Sequence, residues 1–240
     1  MVSRHIVGMG GGGFEMETDN TLLDDFILSL ARRSPARLCF LPTASGDSSE
    51  IIVKFYRAFR GRAVLDDLTL QGSPSLLRHP ARSSELENFV LEQDIIYVGG
   101  GNTANLLALW RAHGLDLALR RAWQEGVVLA GLSAGLICWF ECSVTDSFGP
   151  PTALHDGLGL IAGSACPHYA AQGSRGAFYR SLIAAGLPAG YGVDDGAALH
   201  FEDTHLVEVV SSRAQACAYH VSASADGVQE ERLAPRFLGA

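Results

Sequence analysis

Short, continuously apolar runs recur through the first two-thirds of the chain, and stretches with helical periodicity separate them. The runs are His5 to Met9, Arg37 to Pro42, Arg62 to Leu65, Asp94 to Val98 and Val127 to Ala130. Four of the five are nearly unbroken, the pattern of parallel strands covered on both faces. The intervening stretches, Thr21 to Arg33, Ser48 to Arg60, Ser84 to Leu91 and Thr103 to Gln124 with a break near Gly114, read as crossover helices. Thr18, Asp19 or Asn20 offers an N-cap to the first, and Ser48 or Ser49 to the second. After one more helix, Arg175 to Ala185, the spacing tightens. Ala197 to Glu202, His205 to Ser211, Ala216 to Ser222 and Val228 to Leu233 are strand-like and leave no room for crossovers, so they pair antiparallel. The expectation is one α/β domain over residues 1–240, with a mixed, mostly parallel sheet and antiparallel strands near the C-terminus.

A sheet buried on both sides needs a large apolar supply. Hydrophobic residues make up 48% of the 240 and charged ones 18%, a balance that excludes disorder. Eighteen basic against 26 acidic residues give a net charge of −8, which removes the driving force for binding nucleic acid or an anionic membrane. The longest apolar stretch, Val127 to Phe140, is interrupted by Ser133 and falls short of the ~20 residues of a membrane span. No signal-peptide core follows Met1, and the five cysteines form no CxxC pair. A cytoplasmic protein with reduced, buried thiols is expected, as a monomer or homodimer.

Glycine clusters mark the ends of three of the apolar runs. Gly8-Met9-Gly10-Gly11-Gly12-Gly13 fits a dinucleotide fingerprint, but Phe14-Glu-Met-Glu17 intervenes before any helix cap. The second strand also ends in Leu41-Pro42-Thr43-Ala44, with no acidic residue for a ribose hydroxyl. NAD is therefore not expected, nor any other cofactor, and the segment reads as a mobile or tightly turned loop at the carboxyl edge of the sheet. The second cluster, Gly99-Gly100-Gly101-Asn102-Thr103, lets backbone approach a ligand closely just before a helix. In the third, Gly131-Leu132-Ser133-Ala134-Gly135 runs from an apolar strand into a helical pattern, the context of a nucleophile elbow. Small neighbours are required for so tight a turn, which lifts the Ser133 hydroxyl above the sheet edge. The backbone N–H of Ala134, with Gly100 or Gly101 from the neighbouring loop, is placed to hold an oxyanion.

A serine nucleophile requires a base. Of eight histidines, His168 stands out, following a strand-like stretch and Pro167, which fixes the local backbone. His200, His205 and His220 lie in the late strands and read as structural. The acid that orients the imidazole is sought in Asp194-Asp195-Gly196, with Asp195 preferred and Asp194 the alternative; the competing reading is that one or both merely build the turn. The order Ser, His, Asp differs from the Ser, acid, His order of α/β-hydrolases.

Val98-Gly-Gly-Gly-Asn-Thr103, Gly131-Leu-Ser-Ala-Gly135, Pro167-His-Tyr169 and Gly192-Val-Asp-Asp-Gly196, taken in order, resemble the peptidase E family of serine peptidases. That family includes aspartyl dipeptidases and, more distantly, cyanophycinases. Cys138-Trp139-Phe140 and Thr145-Asp146-Ser147 extend the likeness to a bacterial peptidase E-like branch. The resemblance implies a flavodoxin-like α/β sandwich related to class I glutamine amidotransferases, with Ser in place of their Cys. It implies a metal-free Ser133–His168–Asp195 triad acting on small peptides, foremost dipeptides with N-terminal Asp. Asp146 matches a family acidic position suited to the substrate's α-ammonium group. Asn102 and Arg175 join it as expected substrate contacts, Arg175 (with Arg180) facing an acidic side chain. One departure stands out: relatives usually place Asp after Pro-His-Tyr, where this chain has Ala170-Ala171-Gln172-Gly173. That loss motivates an alternative, a catalytically weak small-molecule or peptide-binding protein on the same scaffold.

Overall fold

A computed structural model describes residues 3–70, 83–170 and 174–239. His79 and the Ala171-Gln172-Gly173 departure lie outside the described residues. Five strands form the parallel centre of the first sheet: β1 (His5–Met9), β2 (Arg37–Leu41), β3 (Val64–Asp67), β4 (Ile95–Val98) and β5 (Val128–Leu132). Their spatial order is β1-β5-β4-β2-β3, with every neighbouring pair parallel. The crossovers are α2 (Leu22–Ser29), α3 (Ser49–Phe59), α4 (Ser83–Leu91), α5 (Thr103–His113) and α6 (Leu115–Gln124), preceded by a single-turn α1 (Gly13–Met16). The break near Gly114 separates α5 from α6 as the pattern predicts. Ser48 occupies the N-cap position of α3. Thr21 is the N-cap residue of α2, and the Asn20 side chain accepts from Leu22 N–H at 3.3 Å.

From Phe140 the chain builds a second sheet. It passes through α7 (Ala134–Ile137), then β6 (Phe140–Thr145), β7 (Thr152–Leu154), β8 (Ile161–Cys166), α8 (Arg175–Ala184) and β9 (Gly190–Val193). It crosses back to the first sheet as β10 (Ala197–Glu202) and β11 (His205–Ser211), and returns to the second as β12 (Ala218–Ser224) and β13 (Gly227–Leu233). A short β14 (Arg236–Phe237) edges the first sheet. The late strands do pair antiparallel, β10 with β1 and β11, β12 with β9 and β13. They are divided between two sheets rather than added to one, because the Asp194–Gly196 and Ser212–Cys217 connections each carry the chain across.

The period-2 alternation of the strands sorts the core into layers. Ile6, Cys39, Ile96 and Leu129 face Trp110 and Leu119 of the helices and Phe140, Ile161 and Ala165 of the second sheet in one continuous cluster. Val7, Leu38, Phe40, Tyr97 and Ala130 on the opposite face pack under Leu23 and Ile27 of α2 and Phe55 and Phe59 of α3. Tyr179 and Ile183 of α8 cover the outer side of the second sheet with Val144 and Val221. The result is a flavodoxin-like α/β fold. All five cysteines are free and buried. Burial pushes the Cys39, Cys138 and Cys142 thiols up and that of Cys166 to about 12, so these are packing groups rather than reactive ones. No helix among the described residues is long and apolar enough to cross a membrane.

Candidate active site

Because β5 lies between β1 and β4, the loops leaving these three strands stand side by side at one carboxyl edge. They are the three glycine clusters of the sequence. The elbow carries Ser133 in the left-handed region, at φ 52°. A non-glycine residue there costs on the order of 1–3 kcal/mol, so the surroundings must hold it. Its N–H donates to Met9 O at 2.9 Å, and its carbonyl accepts from Leu136 and Ile137 N–H. Gly135 is obligatory, since a Cβ there would lie 2.3 Å from Val98 O. The helix that follows is a single turn, α7, before β6 begins. Any oxyanion here would therefore depend on individual N–H groups rather than on a long helix dipole. The Ala134 N–H, first of that turn, has no acceptor within the helix.

His168 follows β8 of the second sheet, also at positive φ (53°), with its N–H directed to Gly10 O at 3.3 Å. Asp195 lies where the chain crosses from β9 to β10. The three side chains meet at the seam between the sheets. His168 Nε2 is 2.9 Å from Ser133 Oγ, and His168 Nδ1 is 2.5 Å from Asp195 Oδ1. With Nδ1–H donated to the carboxylate, Nε2 presents its lone pair to the hydroxyl. Asp194, the alternative, is buried and builds the turn instead. It accepts from Ala170 N–H at 3.1 Å and Cys217 N–H at 3.2 Å.

The first glycine cluster has a role that its sequence did not disclose. It is buried and tightly turned, and Asp195 and His168 pack against Gly11. Gly11 bridges to Asp195, and Gly11 O accepts from Gly196 N–H at 2.8 Å. A Cβ on Gly11 would stand 2.2 Å from Asp195 Oδ1 and 3.0 Å from His168 Cε1.

The expected oxyanion donors divide. Gly100 adjoins the elbow, since a Cβ built on it would lie 3.8 Å from Ser133 Cβ. Gly101 instead packs against the Ala44 carbonyl. Glu15 of α1, unassigned from sequence, reaches the same place: Gly100 N–H donates to its Oε1 at 3.2 Å and Oε2 at 3.4 Å. Desolvation raises the Glu15 carboxyl to about 7 against the opposing effects of that hydrogen bond and of Lys54. The only sequence signal was an acid in the stretch that spoils the dinucleotide pattern.

The expected substrate contacts are engaged with one another or with backbone. Asn102 N-caps α5 by accepting from Asn105 N–H at 2.9 Å, and its amide donates to Ser147 O at 2.9 Å. Both of its polar ends are thus committed to bracing two loops. Arg175, only 3% exposed, donates to Asp146 Oδ2 at 2.7 Å, so the residues expected to meet opposite substrate charges neutralise each other. Arg180 is paired with Glu230 at 2.7 Å. His200, as expected, is structural, lying 3.0 Å from His5 Nδ1 and 3.4 Å from Glu208 Oε1. His5, His200 and Glu202 bring three ligand-type atoms within 4.8 Å, the one such group among the described residues. It sits at the opposite end of β1 from Met9.

Comparison with known proteins identifies the family of the chain. A model of peptidase family S51 matches residues 6–209. The uncharacterized peptidase YgaJ of Bacillus subtilis (strain 168) is 51% identical over 240 residues, covering 98% of this chain and all of that protein. Among solved structures, a peptidase from an acI-B1 actinobacterium superposes with TM-score 0.71 at 20% identity, covering 97% of this chain and 95% of that one. A putative peptidase E protein from Listeria monocytogenes EGD-e gives 0.62 at 15% identity over 88% and 99%. The chain belongs to peptidase family S51 and is a serine-type peptidase.

Proposed function

We propose that this peptidase is an exopeptidase for small peptides, foremost dipeptides with N-terminal Asp, working through Ser133, His168 and Asp195. The observation that carries the reading is the 2.9 Å approach of His168 Nε2 to Ser133 Oγ, with Asp195 on the other imidazole nitrogen. Ser133 Oγ attacks the scissile carbonyl carbon while His168 takes the hydroxyl proton. The resulting oxyanion accepts from Ala134 and Gly100 N–H. Collapse of the tetrahedral species breaks the C–N bond as His168 returns the proton to the leaving amine, and water then releases the acyl group by the same relay. Asp195 holds the imidazole in the required tautomer and stabilises its cation. The aspartyl preference rests on the family likeness alone, since Arg175 is paired with Asp146.

Ser133→Ala should lower turnover of aspartyl p-nitroanilide by about 10³-fold or more while leaving the thermal unfolding midpoint unchanged. Undiminished turnover would reject the serine as nucleophile. Labelling by a fluorophosphonate separates this reading from a catalytically weak binding protein, whose Ser133 would not react.

A further inference from the structure

The Gly100 N–H has two claimants. Gly100 borders Ser133, where an oxyanion would form, and its N–H already donates to both oxygens of Glu15. Two full-strength acceptors cannot share one N–H, and a carboxylate beside a developing oxyanion opposes it by like-charge repulsion. With Glu15 in this position the oxyanion site is capped.

Glu15 is poorly compensated where it stands. Among the described residues its one hydrogen bond comes from Gly100. Lys54, the cation that acts on it, is 3.6 Å from Glu50 and reaches Glu15 only through space. A desolvated carboxylate with no adjacent cation gains from any cation brought to it. Asp146, the carboxylate first expected to meet the substrate's α-ammonium group, is instead paired with Arg175.

We propose that Glu15 forms the subsite for a primary ammonium group, the free N-terminus of the substrate, and that binding this cation draws the carboxylate off Gly100 N–H and opens the oxyanion site. The proposal rests on the exopeptidase reading and deepens it. In an N-terminal residue the α-nitrogen is two bonds from the scissile carbonyl carbon. When that carbonyl oxygen sits at hydrogen-bond distance from Gly100 N, the ammonium falls within reach of a carboxylate about 3 Å from the same nitrogen. A blocked or internal residue offers an uncharged amide there and leaves the cap in place. One carboxylate thus couples recognition of a free terminus to assembly of the reaction site.

The test compares the native chain with Glu15→Gln and Glu15→Ala on aspartyl p-nitroanilide and its N-acetyl derivative. The ratio of kcat/KM for the free amine to that for the acetylated substrate should fall by about 100-fold in both variants, with kcat rising on the acetylated one. An unchanged ratio overturns the proposal. A second readout needs no turnover. In Ser133→Ala, the Gly100 amide resonance should shift saturably on titration with a panel of amino-acid α-amides and stay fixed with their N-acetyl forms. Adding Glu15→Ala should abolish the shift, and no shift with any free amine overturns the subsite whatever Ser133 does. Failure of the exopeptidase reading has a separate signature, turnover that survives Ser133→Ala.

Discussion

Asp194 and Asp195 are adjacent carboxylates with opposite surroundings. Asp195 is held against the His168 imidazole at 2.5 Å, whereas Asp194 is turned inward to take the Ala170 and Cys217 N–H groups. Consecutive residues of an extended segment point to opposite sides, so one connection turns one carboxylate to the His168 ring and the other to buried backbone N–H groups. Their substitutions should therefore separate. Asp195→Asn leaves the shape intact but permits the wrong imidazole tautomer, and kcat should fall by about 10⁴-fold with little change in the unfolding midpoint. Asp194→Asn keeps one acceptor and loses the other, which should cost roughly 1–3 kcal/mol of stability and much less activity. Thermal melts and single-turnover kinetics on both variants check this, and a reversed ranking would exchange the two roles.

At the scale of elements, the central parallel strands were legible through their two-sided burial. His5–Met9, Arg37–Leu41 and Ile95–Val98 announce themselves as apolar runs because both faces are covered, and their order along the chain fixes parallel crossovers. The elbow and Pro167-His168 were legible for the same local reason, each being a short backbone device with its own residue signature. Two features were not. Periodicity reports that β10 to β13 are strands, but which sheet each joins is decided by two crossing connections without a signature of their own. The Gly8–Gly13 loop resembled a phosphate cradle because close approach requires glycine whatever approaches. At Gly11 the approaching groups are Asp195 and His168. Gly11→Ala therefore tests the loop as a support for the site. A methyl group 2.2 Å from Asp195 Oδ1 must displace that carboxylate, and overpacking of this kind costs about 1–3 kcal/mol. The expected result is a folded protein whose kcat drops by about 100-fold with KM nearly unchanged. Native kcat in Gly11→Ala would show that the triad geometry does not depend on this contact.

For the molecule as a whole, the layer beneath the site stores a pH dependence. Asp24, 1% exposed, accepts from the Tyr97 hydroxyl at 3.1 Å. Desolvation raises its carboxyl from 3.8 to about 7, against the lowering effects of that hydrogen bond and of Arg62. Glu15, on the neighbouring α1, is raised from 4.5 to about 7 by desolvation as well. Both groups hold their protons more tightly folded than unfolded. Between about pH 4 and pH 7 the native state thus binds more protons, and stability falls as pH rises. The contribution is fully present below the unfolded values and is lost as pH rises to about 7, and the loss amounts to a few kcal/mol for a buried group shifted by about three units. Exposed acids add to the trend, since a chain of net charge −8 repels itself more once every carboxylate is ionised. Asp24→Asn isolates the Asp24 contribution. The amide still accepts from Tyr97 but cannot ionise, so the variant should match or trail the native chain at pH 5 and exceed it at pH 8. Chemical denaturation across that interval measures the difference. A variant whose stability follows the native slope would remove Asp24 from the dependence and leave it to Glu15 and the surface.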